Sequence, residues 1–119
     1  MNLSQLAFVF IGGGTGSLVR YGFSVFIQKH PSYPLPISTL VANVVSCLIM
    51  AMVLRFSNSV SDSTRLFLFT GFCGGLSTFS TFSLETVQLI RSGNSAWAVI
   101  NILVSVLLCL LILFSAIRK

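Results

Sequence analysis

Charge is what this sequence has least of. Of its 119 residues, 8% are charged, and only two of those, Asp62 and Glu85, are acidic. A soluble domain carries about 25% charged residues, so an ordinary soluble fold is excluded. The seven lysines and arginines give a net charge of +5, but no basic run occurs, which excludes the electrostatic footprint of a nucleic-acid binder. The single histidine, His30, lies in a loop with no partner nearby in sequence and reads as solvated. The three cysteines, Cys47, Cys73 and Cys109, fall inside apolar stretches without Cys-x-x-Cys spacing and read as small packing residues rather than ligands or disulfide partners. Met1 to Phe10 has no basic n-region and no small-residue cleavage site follows, so the first apolar stretch is expected to stay in the mature protein. The glycines at 12–14 and 16 follow no strand and precede no Gly-Lys-Ser/Thr, which excludes a phosphate-binding loop.

What is present is apolar residue, 55% of the chain. A spanning helix needs about 20 such residues, and four stretches qualify: about 5–28, 37–56, 65–90 and 95–116. The fold class expected is an all-α integral membrane protein, a single transmembrane domain over 1–119 with four helices. In the first stretch, Gly12 and Gly16, and likewise Gly13 and Ser17, are small-xxx-small pairs that let helices approach closely. Arg20 can snorkel to the headgroups, cap a helix, or draw anions to a pore mouth. The loop KHPSYPLP, with three prolines, ends this helix. In the second stretch Thr39, Asn43, Ser46 and Cys47 share one helical face. An asparagine at membrane depth must be paired, so Asn43 is expected to point inward, either donating to an anion or binding another helix's backbone.

The third stretch holds the sequence's most unusual run, Gly71 to Ser83: Gly74-Gly75 followed by Ser77, Thr78, Ser80, Thr81 and Ser83. Glycine costs a helix roughly 1 kcal/mol relative to alanine, and the hydroxyls compete for backbone hydrogen bonds. A helix broken near mid-membrane is expected. Such backbone is tolerated only where it is buried in protein or lines a watery cavity; the alternative is a glycine kink serving close packing. Ser63 is the expected cap at the start of this stretch, Asp62 a solvated charge beside it, and Glu85 a structural pairing group. In the fourth stretch Asn101, Ser105 and Cys109 form a second one-sided polar track, and Trp97 fits an interfacial belt.

With four alternating spans, Arg55, Arg65, Arg118 and Lys119 face Lys29, Arg91 and a snorkelling Arg20 across the membrane, too even a balance to fix one orientation. Four helices are also too few to enclose a pore. A homodimer is therefore expected, and if both orientations are made an antiparallel pair becomes possible, resembling an inverted repeat assembled from separate chains. In it the interrupted third helix meets its own copy, and paired carbonyls make an oxygen cage suited to a hard monovalent cation.

Three segments, GGGTGSLVRY at 12–21, TLVANVVSC at 39–47 and GFCGGLSTFSTFSLET at 71–86, resemble the Fluc (CrcB) fluoride channel family in order, spacing and content. The resemblance implies a passive channel that exports fluoride across the bacterial cytoplasmic (inner) membrane, built as a dual-topology homodimer in lipid with a central structural sodium ion. It implies that backbone carbonyls of Gly74 and Ser77 from both chains hold the sodium, with Ser77 where relatives often carry threonine. Phe79 and Phe82 correspond to the family's pore phenylalanines, Asn43 to its pore asparagine and Arg20 to the arginine of a vestibule. Thr81, Ser83 and Ser105 complete the implied pore, together with Asn101, which stands where some relatives carry tyrosine. No enzymatic activity is implied. The rival reading, a small dual-topology exporter exchanging protons for drugs or cations, requires an acidic residue deep in a helix; segment one has none, and Glu85 lies well past the glycines.

Overall fold

The computed structural model describes residues 1–28 and 36–118. The proline loop, His30, Lys29 and Lys119 lie outside the described residues, apart from Pro36, which immediately precedes the second helix.

Every regular element among the described residues is helical. Helix α1, Leu3–Gln28, starts on a reciprocal cap in which Asn2 Oδ1 accepts from the Gln5 amide at 2.9 Å and Gln5 Oε1 accepts from the Asn2 amide at 3.0 Å. That pairing satisfies two amides otherwise orphaned at a helix start. Helix α2 is Ile37–Arg55. The third segment is assembled from short pieces: α3 at Asp62–Arg65, a π-helical stretch at Leu66–Cys73, α4 at Gly74–Leu76 and α5 at Ser80–Arg91. Helix α6 is Ser95–Ile117.

The cap of α3 corrects the expectation for Ser63. Ser61 is the extended residue (φ −69°, ψ 159°), and its Oγ accepts from the Thr64 amide at 3.2 Å, while Ser63 lies inside the helix. Asp62 then occupies the first turn, where the helix dipole favours a negative charge. Helix α5 ends at Arg91 and is closed by Gly93, whose φ of 85° favours glycine, with Asn94 N–H reaching the Leu89 carbonyl at 2.8 Å and Gly93 N–H reaching the Ile90 carbonyl at 3.2 Å.

Among the described residues, three segments are long and apolar enough to cross a membrane: Ile37–Arg55, Asp62–Arg91 and Ser95–Ile117. Helix α1 has the length, but its glycines and Arg20 dilute its apolar content. The chain is thus an all-helical, multi-pass membrane protein. The polar tracks of α2 and α6 turn inward, with Thr39, Ser46, Asn101 and Ser105 all buried. The outer surface of α6 presents Leu103, Leu107, Leu111 and Phe114.

Helix α1 lies against the π-helical stretch and α4, α2 against α6, and α5 against α6. The first contact is backbone on backbone. A Cβ on Gly16 would sit 2.9 Å from the Leu76 nitrogen and still closer to the Phe72 carbonyl oxygen, and one on Gly71 would sit 2.9 Å from the Gly12 Cα. A Cβ on Gly75 would meet the Gly13 carbonyl. The close approach expected from the α1 glycines is therefore made within one chain, against the third segment.

This crossing leads to a stability prediction. Gly16→Ala forces backbone apart and is expected to destabilise the chain by about 1–3 kcal/mol, the usual cost of overpacking. Gly22→Ala, where nothing lies within 4 Å, is expected to be neutral or to stabilise by up to about 1 kcal/mol through helix propensity. Thermal unfolding in detergent, followed by circular dichroism, checks the pair; equal effects would show that the crossing is not tight.

Candidate functional site

Helical hydrogen bonding lapses between Leu76 and Ser80. Ser77 is extended (φ −76°, ψ 156°), and helical geometry resumes at Ser80. A continuing helix would send the Thr78 amide to the Gly74 carbonyl. Instead Thr78 N–H donates to Asn43 Oδ1 at 2.8 Å, and Asn43 Nδ2 donates back to the Thr78 carbonyl at 3.3 Å. One side chain of α2 thereby satisfies both backbone groups of Thr78. This is the backbone-binding alternative that the sequence left open for Asn43. The second amide hydrogen of Nδ2 is still free to donate elsewhere.

Other side chains take over around this point. Arg20 Nε of α1 donates to the Gly75 carbonyl at 3.1 Å. The Cys73 carbonyl accepts from Ser46 Oγ at 3.0 Å, from Ser77 Oγ at 2.7 Å and from the Ser77 amide at 2.9 Å. Where the chain turns helical again, Thr78 Oγ1 accepts from the Thr81 amide at 3.1 Å, capping α5. Among the described residues, no backbone donor reaches the carbonyls of Gly74 and Ser77. These two oxygens, with Gly74 itself exposed, are of the donor type that hard cations take.

An open groove of about 300 Å³ runs past this point between α2, α5 and α6. It brings together Asn43, Ser77, Phe79, Phe82 and Ser105 from the sequence reading, with Thr78, Cys47, Val106, Cys109 and Leu110 added by the fold. The Phe79 and Phe82 rings lie 5.8 Å apart, tilted by 40°. They are not equivalent, since Phe79 is 79% exposed and Phe82 only 8%. The wall behind Phe82 is a buried polar chain. Thr86 Oγ1 donates to the Phe82 carbonyl at 2.7 Å, Asn101 Nδ2 donates to Thr86 Oγ1 at 3.0 Å, and Ser105 Oγ donates to Asn101 Oδ1 across a long 3.4 Å.

Several sequence candidates lie away from the groove. Asn101 is 2% exposed and acts on the groove through Thr86 and Ser105. Ser83 spends its hydroxyl proton on the Phe79 carbonyl at 2.8 Å. Thr81 and Arg20 do not line the groove either, although both brace the backbone at its edge. Glu85 accepts a hydrogen bond from Thr39 Oγ1, a pairing between α2 and α5. Sequence reading missed Thr86 as the hinge of the buried chain. Its only signal was its position, four residues after Phe82 on the α5 face that also buries Leu89.

Comparison with known proteins gives a consistent result. Residues 7–117 match the family model described as "CrcB-like protein, Camphor Resistance (CrcB)". A Pyrococcus furiosus protein named "Fluoride-specific ion channel FluC" is 43% identical over 117 residues, covering 96% of this chain and 94% of the relative. One of the same name from Klebsiella pneumoniae is 42% identical over 105 residues, 86% of this chain and 82% of the relative. "Fluoride-specific ion channel FluC 1" from Yersinia pestis is 43% identical over 106 residues, 87% and 83%. With the family model covering nearly the full length and relatives this similar, the chain belongs to the CrcB family.

Proposed function

We propose that this protein is a passive fluoride channel that lets fluoride leave the cytoplasm, working as an antiparallel homodimer in the bacterial inner membrane. The observation that carries the reading is the groove itself: two phenyl rings and several neutral hydrogen-bond donors around an interrupted span, with no fixed charge among the described residues that line it. The names of the relatives, each a fluoride-specific channel, point to the same ion.

Fluoride holds its water tightly, so a route through an apolar medium must replace that shell without trapping the ion. A ring of arginines would bind too firmly for release. Neutral donors in the groove suit better: the spare Asn43 amide hydrogen and the Ser105 hydroxyl, whose 3.4 Å contact with Asn101 is weak enough to exchange for an anion. The Ser83 hydroxyl joins them if it turns from the Phe79 carbonyl. The positive end of an aromatic quadrupole is the ring edge, which gives the exposed Phe79 and its partner Phe82 a role in contacting the ion. Asn101 positions Ser105, and Arg20, held on the Gly75 carbonyl, places positive charge near the mouth.

The carbonyls of Gly74 and Ser77 fit a sodium ion shared between two copies, because neither has a backbone donor and a two-fold axis would double them to four oxygens. Bound there, sodium would supply a positive charge and lock the two interruptions together at mid-membrane. Net export needs no further energy source. Hydrogen fluoride enters as a neutral molecule from acid surroundings and ionises in the more alkaline cytoplasm, and the inside-negative potential drives the anion out. The protein is thus a channel and not an enzyme. A proton-coupled exporter would need a free carboxyl group deep in the protein, and Glu85 is engaged by Thr39.

Three measurements test this. Purified chain in liposomes is expected to release fluoride, and not chloride, at a rate independent of pH; proton-coupled uptake of an organic cation without fluoride release would overturn the reading. Phe79→Ile and Phe82→Ile keep bulk but lose the ring edge, worth about 0.5–1.5 kcal/mol, so efflux is expected to fall roughly two- to tenfold with the dimer intact on size exclusion. Undiminished efflux in both would remove the rings from the pore. Replacing sodium by N-methylglucamine is expected to weaken dimerisation or conduction, and indifference to sodium would refute the cage.

A further inference from the structure

Two thiols in the groove have no part in that scheme: Cys47 on α2 and Cys109 on α6. Both are free, half-buried thiols, and both line the same groove on helices that pack against each other. Cys73 behaves differently. It is 1% exposed, hydrogen-bonds through its thiol to the Ser46 carbonyl at 3.4 Å, and does not line the groove. The reading of all three as packing residues suits the buried Cys73, whereas Cys47 and Cys109 face a shared groove. A pair of thiols on facing helices, open to one cavity, is a bidentate soft donor set, the kind that favours soft metals and metalloids over hard ions.

We propose that Cys47 and Cys109 form a dithiol site in the groove wall that captures trivalent arsenicals, both sulfurs binding one arsenic. With phenylarsine oxide as ligand, two arsenic–sulfur bonds form and the arsenic–oxygen bond is lost. The oxygen leaves as water carrying both thiol protons, arsenic stays trivalent, and no oxidant or reductant is consumed. The neighbouring Phe79, Phe82, Val106 and Leu110 offer the phenyl group an apolar bed. The second sulfur binds intramolecularly, at high effective concentration, so the chelate resists monothiols that strip a singly bonded arsenical. An arsenic bridge here would staple α2 to α6 beside the phenyl rings and narrow the groove.

The test uses the full chain in detergent micelles, treated with equimolar phenylarsine oxide, washed with excess 2-mercaptoethanol, and read by intact mass. The expected result is one arsenic per chain, surviving the wash and released by 2,3-dimercaptopropanol. Cys47→Ser and Cys109→Ser are each expected to lose the wash-resistant adduct, and Cys47→Ala and Cys109→Ala to behave alike, while Cys73→Ser keeps it. Peptide mapping of the unaltered chain supplies an answer that no folding defect can obscure, with arsenic bridging the two peptides. Absence of the adduct, its persistence in either single variant, or its mapping to Cys73 would overturn the site. The narrowing alone rests on the channel reading, and a separate readout keeps the two apart. Fluoride efflux from liposomes is expected to fall on treatment and recover with dimercaptopropanol; an adduct with unchanged efflux would uphold the dithiol and count against conduction along this groove.

Discussion

The structure depends on one exchange of hydrogen bonds: the amide of Asn43 stands in for the helical partners of Thr78. In a medium without water, an unsatisfied backbone group costs several kcal/mol, so a chain that leaves the helix at Ser77 can persist only if neighbours complete its bonding. Asn43 is suited to this because a primary amide both donates and accepts, and one side chain can answer an N–H and a C=O of the same residue. Arg20, Ser46 and the hydroxyls of Ser77 and Thr78 complete the substitution. What is left over is specific: the carbonyls of Gly74 and Ser77, which no backbone donor among the described residues reaches.

That substitution requires the third segment to be held close, and glycine does this. Gly12 and Gly16 on α1 meet Gly71, Phe72 and Leu76 without side chains between them, and Gly75 meets Gly13 in return. The same approach brings the Arg20 stem to the Gly75 carbonyl. The π-helical stretch at Leu66–Cys73 lies at this crossing. Such wide turns are rare and recur at functional sites, and here one is separated from the lapse only by the short α4. The contact that packs the bundle and the one that presents free carbonyls are therefore parts of a single arrangement.

Function, as proposed, follows from asymmetry between two rings that look alike in sequence. Phe82 is built into the wall, its carbonyl held by Thr86 and that hydroxyl by Asn101. Phe79 sits where the backbone has only begun to recover helical geometry, with its ring in the open. A fixed ring and a free one beside neutral donors can follow a partly dehydrated anion more readily than two fixed rings can. The polar chain from Thr86 to Ser105 gives Asn101 a positioning role rather than a contact role.

Much of this was legible in the sequence. Scarce charge and four apolar stretches gave the class and the helices; the shared face of Thr39, Asn43 and Ser46, and that of Asn101 and Ser105, marked what turns inward, because helical period alone decides which residues lie together. The glycine- and hydroxyl-rich run marked where regular bonding would fail, since those residue types weaken a helix wherever they stand. Other features needed the fold. The sequence could not choose between an anion and a backbone as the partner of Asn43, could not tell Phe79 from Phe82, placed the α3 cap two residues late at Ser63, and read Cys47 and Cys109 as packing residues without showing that they line one groove. Each of these turns on which helix lies opposite. Period and composition act within a segment, whereas the partner of a side chain is settled by the crossing of segments distant in sequence, and here that crossing is set by glycines on α1 meeting glycines on the third segment.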